Sequence, residues 1–152
     1  MKAVIQRVDY ASVKVDGAVV GKCERGLMIL LGVAEGDTET DAELLCKKIV
    51  NLRIFPDEAG KMNLSVKDIG GEMLVISQFT LLANYRHGNR PDFLESAKPE
   101  EADRLYEYFK SLAAKEIEHV GSGEFGAHME VGLLNNGPVT IVMDSEILKK
   151  KK

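Results

Sequence analysis

Two short segments place polar side chains where an apolar pattern stops, and both have the composition of a reaction site. The first is Ser77-Gln78-Phe79-Thr80-Leu81, closing a run from Glu72 to Phe79 that holds Met73, Leu74, Val75 and Ile76. Strand ends can carry chemistry on a rigid base, because the loops there are free to hold polar groups. Simple strand termination explains the same residues. Thr80 offers a hydroxyl, yet a threonine hydroxyl is a weak nucleophile without an adjacent base, and the sequence identifies none. The second segment is Asn135-Asn136-Gly137-Pro138-Val139-Thr140. Asn-Gly between alternating strands signals a tight hairpin. Pro138 complicates that reading, since it removes a ladder donor and restricts Gly137. Cis is the minority isomer of X-Pro bonds, and sequence physics does not select it here.

Other catalytic patterns are missing. His87, His119 and His128 show no metal-ligand spacing, so neither a metal nor another cofactor is expected. There is no G-x-S-x-G and no phosphate-cradling loop of the P-loop kind. Gly121-x-Gly123-x-x-Gly126 matches a dinucleotide fingerprint on paper. It follows a helix and precedes a strand, the reverse of the required context.

These segments must be positioned by one domain, since the chain has 152 residues. That length buries a sufficient core without disulfides. Cys23 and Cys46 lie far apart and read as free thiols of a reducing compartment. Met1-Lys2 leads directly into an alternating strand pattern rather than a signal peptide. No apolar run approaches the ~18 residues of a membrane span, so a cytoplasmic location is expected. The net charge of −4 argues against broad wrapping of nucleic-acid backbone, DNA included. It leaves room for gripping a short RNA end through a local patch. The run Lys149 to Lys152 reads as a solvated tail.

The hydrophobic pattern predicts strands over Met1 to Asp9 and Ala11 to Asp16, a hairpin at Asp16-Gly17, and a strand over Ala18 to Glu24. Leu27 to Val33 is continuously apolar, as expected of a strand covered on both faces. Thr40-Asp41-Ala42-Glu43 fits a capping box, followed by Ala42, Leu45, Ile49 and Leu52 on one helix face. A second helix starts near Pro99 and buries Ala102, Leu105, Tyr106, Phe109, Leu112 and Ala113. Gly121 to Gly126 reads as a glycine-rich loop. His128 to Asn135 and Val139 to Asp144 read as strands. The resulting fold class is α/β, with a curved, barrel-like mixed sheet and two main helices.

At its two polar segments the chain resembles the D-aminoacyl-tRNA deacylases. Ser77-Gln78-Phe79-Thr80-Leu81 and Asn135-x-Gly137-Pro138-Val139-Thr140 look like that family's two signatures. Further matching text includes Ala3 to Val8, Lys48 to Phe55, Gly60 to Ser65, Asn89-Arg90-Pro91 and Phe125-Gly126-Ala127. The resemblance spans residues 1–145, the expected domain, with 146–152 left as a basic tail.

The resemblance implies a homodimeric hydrolase that cleaves the ester of D-aminoacyl-tRNA. Its active site would lie at the dimer interface. A cis Gly137-Pro138 would enter the partner subunit's pocket and reject L-aminoacyl groups, with Arg7 bracing that loop. Ser77, Gln78, Phe79 and Thr80 would line the pocket, with amides near Phe79 and Thr80 as oxyanion donors. Phe125 would seat the terminal adenine of the tRNA; an aromatic at this position also reads as ordinary core. Catalysis would use the terminal 2′-hydroxyl of the tRNA, in keeping with the missing protein base. Glu124 stands where the family often has a basic residue, and Asn84-Tyr85 replaces a more usual Asp-Thr. Arg86, His87 and Arg90 form a local basic patch that reads equally as a solvated loop. Two other readings remain: a relative with a trans Gly-Pro bond acting on certain L-aminoacyl-tRNAs, and a non-catalytic nucleic-acid-binding module.

Overall fold

The computed structural model describes residues 1–150. Its spine is β1 (Lys2–Val15). The two strands expected on either side of Tyr10 are one element. Register irregularities at Arg7 and Asp9 interrupt its alternation, which is why it reads as two. Asp16 and Gly17 take positive φ values of 49° and 80°, as a two-residue hairpin requires. They turn the chain into β2 (Ala18–Cys23). The next strand, β3 (Gly26–Gly32), continues in the same direction. As a result β1 pairs with β3 over Lys2–Val8 and with β2 over Ala11–Val15.

Helix α1 (Glu39–Val50) follows, but its capping box lies two residues before the expected one. Thr38 caps the helix, and its amide donates to Oδ2 of Asp41 at 2.9 Å. Asp41 is fully buried, and its charge is met by Ser145 Oγ, which donates to it at 2.6 Å, and by Lys149 Nζ 2.7 Å away. A separate ribbon of β4 (Phe55–Pro56) and β5 (Met62–Leu64) precedes β6 (Glu72–Ser77). Helix α2 (Pro99–Ala114) begins with Pro99 in its first turn. Ala102, Leu105, Tyr106, Phe109 and Ala113 are buried, while Leu112 is only partly so.

β6 pairs in parallel with β3, and β7 (Val120–Ser122) in parallel with β6. Part of the expected glycine-rich loop is therefore strand. The reason is a seam between β7 and β2. A Cβ on Gly21 would lie 2.0 Å from the Ser122 carbonyl oxygen, and one on Gly121 would lie 2.6 Å from that of Lys22. Only glycine admits such an approach, and it brings the mixed sheet close to closing. His119 Nε2 donates across the same seam to the Lys22 carbonyl at 2.7 Å.

Both faces of the central strands are covered. Leu27, Ile29, Leu31, Met73 and Val75 pack on the helix side with Leu45, Leu105 and Phe109. Met28, Leu74 and Ile76 face the hollow of the sheet, with Val8, Val13 and Cys23. This two-sided burial gives β3 its unbroken apolar run.

The last strand, β8 (Glu130–Asp144), runs antiparallel along the free edge of β1. The expected strands around Asn135–Pro138 are one strand with an insertion, and no hairpin forms. Val8 pairs with Asn135 and Gln6 with Thr140, so residues 136–139 all stand opposite Arg7. A short helix, α3 (Ser145–Lys149), ends the described chain. Lys149, expected in a solvated tail, instead pairs with Asp41 and Glu146. Lys151 and Lys152 lie outside the described residues.

Candidate active site

The end of β6 forms a corner. The Gln78 amide still donates to the Leu31 carbonyl at 2.8 Å, and the chain then enters a 3₁₀ turn over Phe79–Leu82. A cavity of about 740 Å³ opens at this corner. Ser77, Gln78 and Phe79 form one wall. Phe93 and Leu94 form the next, Lys98, Pro99 and Ala102 at the start of α2 another, and Phe125 to Met129 the last. Ile76 and Val131, from the edge of the sheet's inner core, and Val33 and Glu35, just past β3, also line it. A mostly apolar lining with polar groups at a few points is the usual form of a small-ligand site.

Phe79 is 54% exposed and meets Phe93 edge to face, with ring centroids 5.1 Å apart. Phe125 both lines the cavity and packs on the core, its ring 6.1 Å from that of Tyr106. Tyr106 in turn donates to the Val75 carbonyl at 2.7 Å. Burial pushes its phenol up to about 12, so it acts as a fixed donor. Thr80 lies just outside the lining, and its hydroxyl accepts from Gln78 Nε2. That partner is an amide and cannot take a proton.

The second signature lies elsewhere. Arg7 Nε donates to the Asn136 carbonyl at 2.8 Å and Nη1 to the Ile54 carbonyl at 2.6 Å. Asn135 Oδ1 accepts from the Val139 amide at 2.7 Å, and Asn136 Nδ2 donates to Asp9 at 2.8 Å. Gly137 has φ 141° and its bond to Pro138 is cis. Side chains rarely adopt that φ, and a Cβ on Gly137 would also sit 2.8 Å from Val139 Cγ2 and 3.0 Å from Arg7 Nη2, so the position favours glycine. Gly137 and Pro138 are exposed, and neither lines the cavity. Within one chain, then, Ser77, Gln78, Phe79 and Phe125 come together, while Arg7, Gly137 and Pro138 form a separate group.

Residues 4–144 match the family described as D-Tyr-tRNA(Tyr) deacylase. This chain belongs to that family. A D-aminoacyl-tRNA deacylase of Dehalococcoides mccartyi is 59% identical over 145 residues, 95% of each chain. One of Thermosipho melanesiensis is 54% identical over 96% of this chain and 98% of its own. The solved structure of a c-Myc DNA Unwinding Element Binding Protein superposes with a TM-score of 0.90 at 43% identity, covering 95% of this chain and 98% of that one. The chain is a hydrolase, a D-aminoacyl-tRNA deacylase, and its substrate class is aminoacyl-tRNA.

The apolar lining of this deacylase cavity is broken by three titratable groups. Glu35, Lys98 and His128 line it, and none belongs to either signature. Their approach depends on tertiary packing of three distant segments, so no local spacing announces them. Phe93 was missed for the same reason. The thiols stand apart from this deacylase site. Burial pushes Cys23 up to about 12 and Cys46 up to about 11, as inert core thiols. Among the described residues, carboxylates of Asp37, Asp41 and Glu146 also converge. They are met by the Met1 amino group, 2.7 Å from Asp37, and by Lys149.

Proposed function

We propose that the chain acts in the cytoplasm as a homodimer, with the Gly137–Pro138 loop of each protomer seated in the cavity of the other. One observation carries this reading: the loop is braced and exposed, yet contributes nothing to the cavity of its own chain. Its surroundings add support. Val4 pairs with Val142 and Tyr10 with Leu134, so each pair shares a face of the sheet. Val142, Tyr10 and Leu134 are 74%, 51% and 48% exposed. The loop emerges between these two apolar pairs, an arrangement suited to an isologous contact between two copies.

Seated there, the main-chain carbonyls of Gly137 and Pro138 block the direction an L side chain takes from the substrate Cα, while a D side chain points away. Exclusion serves many side chains at once, whereas a fitted pocket gains only ~1–3 kcal/mol per methylene for one shape. Glycine has hydrogen in both directions, so this device does not reject it.

Hydrolysis forms a bond from a water oxygen to the ester carbonyl carbon and breaks the bond from that carbon to the ribose 3′-oxygen. The amides of Phe79 and Thr80, at the start of the 3₁₀ turn, stabilise the oxyanion. The neighbouring 2′-hydroxyl of the terminal ribose relays the water proton to the departing 3′-oxygen. An activated ester held in place needs little more.

The deciding experiment is a deacylation series on D-Tyr-, L-Tyr-, D-Ala-, L-Ala- and Gly-tRNA. The D and glycyl esters should be lost rapidly and the L esters should survive. Resistance of glycine beside rapid loss of D-Ala would show that the site grips the D side chain, and exclusion would fail.

A further inference from the structure

Between Phe79, which opens the 3₁₀ turn, and Phe93 the chain leaves the cavity wall and returns to it, and the two rings meet edge to face. Between them Asn84 and Asp92 exchange both backbone hydrogen bonds, at 2.8 and 3.0 Å, which pins the base of a loop over residues 85–91. The loop carries Arg86, His87 and Arg90, and no acidic residue. All three are exposed, and among the described residues neither arginine has a carboxylate partner. Tyr85 beside them is 82% exposed. This is a cationic and aromatic projection on a chain of net charge −4, rooted in the wall of the cavity.

We infer that the 85–91 loop grips the single-stranded 3′ end of the tRNA, with Arg86 and Arg90 on phosphates just before the terminal adenosine and Tyr85 stacking on a base. The inference rests on the aminoacyl-tRNA substrate class and adds where the RNA leaves the site. Arginine pairs with phosphate oxygens in a planar, bidentate manner. An exposed aromatic stacks on any base, and so suits a strand shared by all tRNAs. Cations confined to one loop also explain how an acidic protein holds a polyanion: it needs few contacts, all on a loop whose flanking Phe79 and Phe93 line the cavity.

Two substrates separate this role from others: D-Tyr-tRNA, and the D-tyrosyl ester of adenosine, which has no phosphate. Arg86→Ala/Arg90→Ala should hydrolyse the adenosine ester like the unaltered protein. On D-Tyr-tRNA its KM should rise with kcat retained, and log KM against log salt should flatten by about 1.4, at ~0.7 per single-strand phosphate. Arg86→Lys/Arg90→Lys should restore most of the salt slope, and Tyr85→Phe should exceed Tyr85→Ala in affinity for the tRNA alone. An unchanged KM and salt slope in the double alanine variant would overturn the inference. Equal losses on both substrates would also overturn it, by assigning the arginines to the fold or the chemistry. Failure of the unaltered protein on the adenosine ester as well as on D-Tyr-tRNA would instead count against the deacylase mechanism itself.

Discussion

Thr80 is the residue whose chemistry is easiest to misjudge. It ends a signature, carries a hydroxyl and adjoins a cavity, yet its hydroxyl accepts from the Gln78 amide. Nothing in that contact withdraws its proton, and an unactivated hydroxyl is a poor nucleophile. Thr80→Ala should therefore retain most D-Tyr-tRNA deacylation. Removing a true covalent nucleophile costs many orders of magnitude. A loss beyond roughly 10³-fold, ~4 kcal/mol of barrier, in a folded protein would make Thr80 the nucleophile. His128 deserves the same measurement, because it is the one imidazole lining the cavity. With the RNA hydroxyl as the proton relay, His128→Gln should lose less than about tenfold, and single-turnover rates give the comparison. A 2′-deoxyadenosine-terminated substrate completes the set: it should react far more slowly at unchanged affinity.

At the scale of elements, the junction of α1, α3 and the first residue depends on one buried carboxylate. Burial alone would raise the pKa of Asp41. Hydrogen bonds from Lys149, Ser145 and the Thr38 amide outweigh it and hold the carboxyl at about 2, against 3.8 ordinarily. A carboxylate depressed in the folded state contributes stability above its unfolded pKa and loses it as pH falls through its folded one. The stability difference between the unaltered protein and Asp41→Asn should thus be full above about pH 4, on the order of 2 kcal/mol, and shrink towards pH 2. Urea melts across that range give the test, and a difference independent of pH would refute it. The same junction shows what the sequence makes legible. Thr38-x-x-Asp41 and Thr40-x-x-Glu43 both fit a capping box, and the choice is made by Ser145 and Lys149, about a hundred positions away. In contrast, α2 and β6 are fixed by local periodicity and stand nearly where expected. β7 was hidden because Gly121, required by the seam with β2, looks like a loop residue. The polar end of β6 was readable as a site, but Glu35, Phe93, Lys98 and His128 reach the cavity only through tertiary packing.

At the scale of the whole molecule, the proposed dimer divides each site between two chains, and mixed dimers can show it. Arg7→Ala removes the hydrogen bonds to the Asn136 and Ile54 carbonyls, so the Gly137–Pro138 loop loses its brace while the cavity wall is untouched. Its homodimer should admit L substrates, with discrimination between D-Tyr- and L-Tyr-tRNA falling at least tenfold, about 1.4 kcal/mol. A second variant, Gln78→Leu with Phe79→Ala, should keep a braced loop but have a weakened cavity. Co-expressed in excess, it captures Arg7→Ala chains in mixed dimers. If the loop acts across the interface, every intact cavity in a mixed dimer then receives a braced loop. With ninefold excess, L-Tyr-tRNA hydrolysis per Arg7→Ala chain should drop about tenfold, while D-Tyr-tRNA hydrolysis persists. If the loop serves its own chain, intact cavities stay beside defective loops, and L hydrolysis per Arg7→Ala chain is unchanged at any mixing ratio. Separately tagged chains, purified on both tags before assay, exclude the two homodimers and make the distinction direct.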